Sequence, residues 1–431
     1  MRNKIYESDV RYDILKPFVD WCTRRSYKKI KVTGLENLPK DGAVLLAPNH
    51  CNTLMDALVV LQSTKDAKVF GARADMFKRP FIAKIMHFVR ILPMVRQRDG
   101  LRNVLKNHET FEIIVETLEN GVPFIMFPEG RHRPAHSLLP LGKGIMRTAV
   151  AANEKFGKER AVYIVPVGIE YGDYFRYRST CLITMGKPIN ATEFIADLNV
   201  ENEAQLNEPL RKELVQRMSE LITYIPDDEN LASKWSLTKI LTAGFRSCNL
   251  IKKKDNNRQV IAEIEDAIQR NPQRMQEILT NAAAFDRNRR KAGISFKSLG
   301  REKLGLRCFI KALLAILGLP YFIFSIVACL PMWALALFLR SKIRDKAFGN
   351  TVSFGIKLGL GAIWYPIVFA LAFAFAPWQW ALVGSLLAIP TFNYIYDYTE
   401  FLRVFLSDCR LACNKGIRKS FDSIKKSFKN L

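Results

Sequence analysis

The sequence has no Cys-x-x-Cys pair and no cluster of cysteine with histidine, although it carries eight cysteines. Scattered in this way, they form neither a disulfide framework nor a zinc-ligand set. Cys409 and Cys413 could share a helix face, but no third ligand lies nearby. The first 30 residues carry charges throughout and no apolar run of signal-peptide length. The N-terminal part is therefore expected to stay on the cytoplasmic side. No internal repeat is evident. Acidic residues are the minority, 41 Asp and Glu against 65 Lys and Arg, for a net charge of +24. That balance implies an anionic partner: nucleic acid, a membrane surface or a phosphorylated substrate. No nucleic-acid recognition module is visible, so nucleic acid is not an expected partner. Hydrophobic residues at 49% exclude a mainly disordered chain. At ~100–200 residues per domain, the length allows two or three domains.

Charge is also missing from residues 312–339 and 358–396. A helix of ~20 residues crosses the hydrocarbon core of a bilayer. The second stretch is long enough for two spans, about 358–376 and 379–396. Ala376-Pro377-Trp378-Gln379-Trp380 would be the turn, its tryptophans suited to a membrane interface. The first stretch is interrupted at Gly318-Leu319-Pro320 and again at Pro331. It reads either as one long span or as a re-entrant hairpin broken at a proline. Arg307 and Lys311 precede it, and Arg340, Lys342, Arg344, Lys346 and Lys357 follow it. Further basic residues fill the tail, from Arg403 to Lys429. All three regions read as cytoplasmic by the positive-inside rule, which favours the hairpin for 312–339. The alternative is a set of buried helices in a soluble protein.

Ahead of these stretches the pattern is different. Residues 8–27 read as a basic amphipathic helix, either lying on a membrane surface or packed on its own domain. Candidate strands at 43–48, 68–72, 91–95, 123–127, 162–169 and 180–186 alternate with helical patterns at 53–63, 79–89, 101–120 and 142–157. Such alternation predicts an α/β domain with a mixed, largely parallel sheet flanked by helices. Ligand sites in such sheets favour the loops at strand ends. Residues 200–300 read as helical and solvated.

Four stretches bear residues suited to chemistry. In Ala47-Pro48-Asn49-His50-Cys51-Asn52-Thr53-Leu54-Met55-Asp56, His50 sits at a strand-to-helix turn. A histidine takes a proton near neutral pH, and a carboxylate such as Asp56 can fix its orientation. Phe127-Pro128-Glu129-Gly130-Arg131-His132-Arg133 offers a carboxylate, a flexible backbone and two guanidinium groups. Arginine suits phosphate through its planar fork of donors. Lys143-Gly144 follows at a helix start, which favours an anion. Arg73, Arg96 and Arg98 close two other strands, within reach of one cleft. Val165-Pro166-Val167-Gly168 is an apolar strand with an internal proline, expected at an edge or bulge.

Taken in order, NHCNTLMD, the Arg96 segment, FPEGR and VPVG resemble the blocks of the glycerolipid acyltransferase family over about residues 28–190. The resemblance implies an α/β domain docked on a membrane, with His50 as general base and Asp56 as its orienting partner. It assigns Arg96 to the block associated with the acceptor phosphate and Glu129 and Gly130 to the acceptor-binding block. Pro166 falls in the final block. Two departures stand out. The common spacing is His-x4-Asp, whereas here it is His-x5-Asp, similar to fungal-type glycerol-3-phosphate acyltransferases. His50 must then lie outside the helix, with the turn absorbing one residue. The usual FPEG-Thr-Arg-Ser is here FPEG-Arg-His-Arg, so Arg131 or Arg133 stands in for the family arginine, or neither does.

The expected organisation is a membrane-surface helix in 1–27, the acyltransferase domain in 28–198, a helical segment in 199–307, a membrane region in 308–400 and a basic tail in 401–431. The expected function is transfer of a fatty acyl chain from a thioester, acyl-CoA or acyl carrier protein, to glycerol 3-phosphate or its 1-acyl derivative. No other cofactor and no metal is expected. The expected substrate-binding residues are Arg73, Arg96, Glu129, Gly130, Arg131, Arg133 and Lys143. Anionic membrane lipids are expected partners, on the cytoplasmic face of an integral membrane protein, in a bacterial cytoplasmic membrane.

Overall fold

The computed structural model describes residues 4–94, 104–157, 159–198, 203–302 and 304–431. They form two units, one of residues 1–222 with 345–351 and one of 223–344 with 352–431.

The first unit is the α/β part. Its strands are β1 (Lys29–Thr33), β2 (Ala43–Pro48), β3 (Val69–Arg73), β4 (Ile91–Met94), β5 (Phe124–Ile125), β6 (Val162–Tyr171), β7 (Thr180–Met185) and β8 (Ile189–Asn190). Its helices are α1 (Val10–Arg25), α2 (Leu54–Leu61), α3 (Pro80–Phe88), α4 (Val104–Glu119), α5 (Gly144–Phe156), α6 (Ala191–Leu198) and α7 (Glu203–Leu221). The sheet order is β1-β7-β6-β2-β5-β3-β4, with β8 beside β6. All pairings are parallel except those of β6 with β7 and β8. The mixed, largely parallel sheet is thus the one expected. Its central strands are apolar runs because both faces are covered: Ala43, Leu45 and Ala47 of β2 and Val162, Ile164 and Val165 of β6 are fully buried.

Pro166 departs from expectation. β6 lies between β2 and β7, at neither edge. Proline cannot donate to a ladder, but on its outer side β6 pairs β8 only through Tyr163 and Ile164, and β7 only from Val167 onward. Pro166 falls in the interval between them, where no donor is demanded, and its carbonyl accepts from Gly186 N at 2.8 Å. Close packing follows: a Cβ on Gly168 would lie 2.5 Å from Leu221 Cβ of α7.

The second unit is helical: α8 (Leu231–Thr242), α9 (Leu250–Arg270), α10 (Pro272–Lys291), α11 (Phe296–Leu299), α12 (Leu304–Ala328), α13 (Leu330–Lys342), α14 (Phe348–Phe375, from Val352 on in this unit), α15 (Trp378–Ala388), α16 (Thr391–Cys413) and α17 (Lys415–Lys429). Leu237, Ile264, Met275, Phe285 and Phe421 form part of its core. Helices α12 and α14 are long and apolar enough to cross a membrane, and only 6% of each apolar window is buried within the protein.

Of the two interruptions read at Gly318–Pro320 and at Pro331, only the second is a helix break. Helix α12 runs through Pro320 and ends at Ala328, with Cys329 separating it from α13. Proline leaves a helix short of donors. The carbonyl that Pro320 leaves without its helical donor is that of Ile316; on either side of it, Tyr398 and Tyr394 of α16 donate hydroxyls to the carbonyls of Ala315 (2.5 Å) and Gly318 (3.1 Å) and hold α12 in place. The apolar stretch 379–396 is not one helix: α15 has 11 residues and Pro390 separates it from α16.

Candidate active site

The site begins where β2 ends at Pro48. Asn49 pins the chain to β6 with its side-chain amide, accepting from Ile169 N (2.6 Å) and donating to Ile169 O (3.1 Å). Residues 50–53 then turn, and α2 starts at Leu54. Thr53 takes φ 51 and ψ −130, a backbone region that costs a side-chain-bearing residue of order 1–3 kcal/mol. The strained turn absorbs the extra residue of the His-x5-Asp spacing, with His50 outside the helix.

Asp56, in the first turn of α2, is fully buried. Its Oδ2 meets His50 Nδ1 (2.7 Å) and accepts from Cys51 N (2.8 Å) and Asn52 N (2.6 Å). Its Oδ1 accepts the Tyr171 hydroxyl at 2.8 Å. The carboxylate therefore organises the whole turn as well as the imidazole. His50 also stacks on Phe127 at 4.3 Å between ring centroids. With Nδ1 engaged by Asp56, Nε2 is the nitrogen that remains for a proton in flight.

Glu129 braces the turn from the other side. Its Oε1 accepts from His50 N (2.8 Å) and its Oε2 from Leu139 N (2.9 Å). Burial pushes its carboxyl above the usual range, against these two amides, which pull it down. Both oxygens thus hold backbone, tying the β2–α2 turn to the loop after β5. Gly130 has φ 63, where glycine costs nothing, and Arg133 N donates to His50 O at 3.0 Å.

A turn holding a histidine against a buried carboxylate, beside a second loop anchored on it, lies within residues 29–170, which match the family model described as Acyltransferase. The span agrees with the one read from the four sequence blocks. Among solved structures, the crystal structure of the 1-acyl-sn-glycerophosphate (LPA) acyltransferase PlsC from Thermotoga maritima is similar, at 21% identity, with a TM-score of 0.36, over 51% of this chain and 83% of that one. No curated protein resembles the chain closely enough to count as a relative.

Around the His50 turn the other expected residues are distributed unevenly. Arg96 lies outside the described residues. Arg73 ends β3 and gives Nε and Nη2 to Asp75 at 3.1 and 2.5 Å. Arg131 is exposed on the loop after Gly130. Lys143 is exposed just ahead of α5, in a segment fastened by Gly142 N to Pro128 O at 2.7 Å. Among the described residues, no cluster of His, Cys, Asp and Glu could hold a metal ion.

Cys51 adjoins His50 but is buried, and burial together with the Asp56 charge holds its thiol well above the usual range. A protonated thiol is a poor nucleophile. The sequence gives His132 no role within its block and places no site residue in the segment 345–351. His132 lies edge-on to His50 at 5.6 Å between ring centroids, and its Nε2 is 2.7 Å from Asp345 Oδ2. Tyr171 was also missed, since its strand reads as plain core.

Proposed function

We propose that this protein is a membrane-bound O-acyltransferase that moves a fatty acyl chain from a thioester donor to a hydroxyl of glycerol 3-phosphate or 1-acyl-glycerol 3-phosphate. The observation that carries the proposal is the His50–Asp56 contact at 2.7 Å inside an acyltransferase-family domain. His50 Nε2 takes the proton of the acceptor hydroxyl as its oxygen attacks the thioester carbonyl carbon. The carbon–sulfur bond breaks, and the same nitrogen returns the proton to the leaving thiolate. The products are an ester and a free thiol. Asp56 stabilises the imidazolium between the two transfers and is not itself protonated. General-base assistance of this kind is worth roughly 10²–10⁴-fold in rate.

The long-chain donor and the product are amphipathic, which suits an enzyme carrying two helices able to cross a bilayer. In this reading the domain faces the cytoplasm, which the basic residues flanking the apolar helices support. They also favour anionic lipids by about 1 kcal/mol per well-placed side chain. The test is acyl transfer by purified protein in lipid vesicles, with labelled acyl-CoA or acyl carrier protein and either acceptor, beside His50→Ala. Product from one acceptor, lost in the variant, supports the reading and fixes the acylation step. Absence of product with these acceptors and with other lysolipids, from protein that still binds vesicles, would replace it with a non-catalytic lipid-binding role.

A further inference from the structure

The segment 345–351 joins the two apolar helices α13 and α14, yet it belongs to the first unit. Its side chains grip the loops around His50. Asp345 Oδ2 meets His132 Nε2 at 2.7 Å. The Phe348 ring is edge-on to His132 at 5.5 Å. Asn350 Nδ2 donates to Tyr174 O at 2.8 Å, and the Thr351 and Thr53 hydroxyls are 2.9 Å apart. Thr53 is the strained residue that starts α2.

We propose that Asp345 is a positioning residue of the acyl-transfer site, acting through His132 on recognition of the acceptor's polar headgroup. The proposal rests on the acyl-transfer reading above. His132 stands between the rings of His50 and Phe348, with one nitrogen fixed by the carboxylate. A histidine whose one nitrogen is so held presents the other in a fixed direction. In the proposed reaction the acceptor hydroxyl sits on His50, whose ring is 5.6 Å from that of His132, and we assign this second nitrogen to the acceptor's headgroup. The Asp345 side chain is 48% exposed, and ion pairs so open to water add little to stability. The bond therefore matters for where it holds His132. The Asp345 carboxyl itself is held below its usual range by His132.

The experiment compares Asp345→Ala, Asp345→Asn and His132→Gln, singly, and Asp345→Ala in the His132→Gln background. Each is assayed in vesicles with saturating thioester and varied acceptor. Asp345→Ala is expected to raise the acceptor KM roughly tenfold while kcat stays within about twofold. Asp345→Asn keeps an acceptor oxygen for His132 and preserves the fold, so its effect is smaller. In the His132→Gln background, Asp345→Ala should add nothing further. An unchanged acceptor KM in Asp345→Ala overturns the proposal, as does an equal effect with and without His132. Absence of turnover in the unmodified protein with every acceptor is a different result: it overturns the acyl-transfer reading and this proposal with it.

Discussion

His50 Nδ1 lies 2.7 Å from Asp56 Oδ2, although the two side chains belong to different backbone regimes, one in a turn and the other in α2. The contact exists because Thr53 accepts a strained conformation and because the Cys51 and Asn52 amides converge on the same carboxylate oxygen. In the proposed reaction, geometry and catalysis thus depend on one side chain, and its replacement should affect both.

Asp56→Asn replaces one acceptor oxygen by an amide that faces existing donors. In the proposed reaction it should lower kcat by roughly 10²–10⁴-fold, as loss of an oriented general base does. It should also cost about 1–3 kcal/mol in stability for the donors left unpaired in a buried site. Chemical denaturation run beside the transfer assay separates the two effects. His50→Ala should match the loss of rate without the loss of stability.

Tyr171→Phe removes the donor to Asp56 Oδ1 and nothing else of size. The expected cost is about 1 kcal/mol in unfolding free energy. The effect on kcat should be far smaller than that of Asp56→Asn. Equal effects would mean that Tyr171 takes part in the proton transfer.

Glu129 gives a pH signature. Its folded carboxyl lies above its ordinary value because of burial. Stability from such a group is present below the unfolded pKa and is lost as pH rises through the folded one. Measured against Glu129→Gln, the unmodified protein should therefore lose relative stability as pH rises through the acid range. Thermal unfolding at a series of pH values reads this directly. Glu129→Ala, which frees both buried amides, should cost about 1–3 kcal/mol for each.

Cys51 should resist alkylation in the folded protein at neutral pH, since burial and the Asp56 charge keep it protonated. The exposed Cys248 and Cys413 should react first. Mass spectrometry after brief treatment with iodoacetamide distinguishes them. Cys51→Ala should retain transfer activity, and loss of activity with the fold intact would reopen a covalent acyl intermediate.

Much of the α/β part was legible because its strands are short apolar runs and its helices carry regular spacing. β1 escaped because Lys29-Ile30-Lys31-Val32-Thr33 is an edge strand, paired only with β7, and needs no continuous apolar run. β8 is two residues long, below any periodic signal. Pro166 was misplaced because a proline excludes a donor, whereas whether a neighbour demands one depends on how β7 and β8 divide the flank of β6. At the site, His50 and Asp56 were legible from a local turn. His132 and Asp345 were not, since they lie 213 residues apart and no periodicity links them. Glu129 stands out in its sequence block, but its bonds to two backbone amides became visible only in three dimensions.

The bonds on Asp56 have a consequence for isotope chemistry. A carboxylate already occupied by two backbone amides, a phenol and an imidazole has no room to receive the proton that His50 picks up. In the proposed reaction a single hydrogen then moves in the rate-controlling transfer. In mixtures of light and heavy water, the rate of acyl transfer should fall along a straight line with the deuterium fraction, without the bow that a second moving hydrogen would bring.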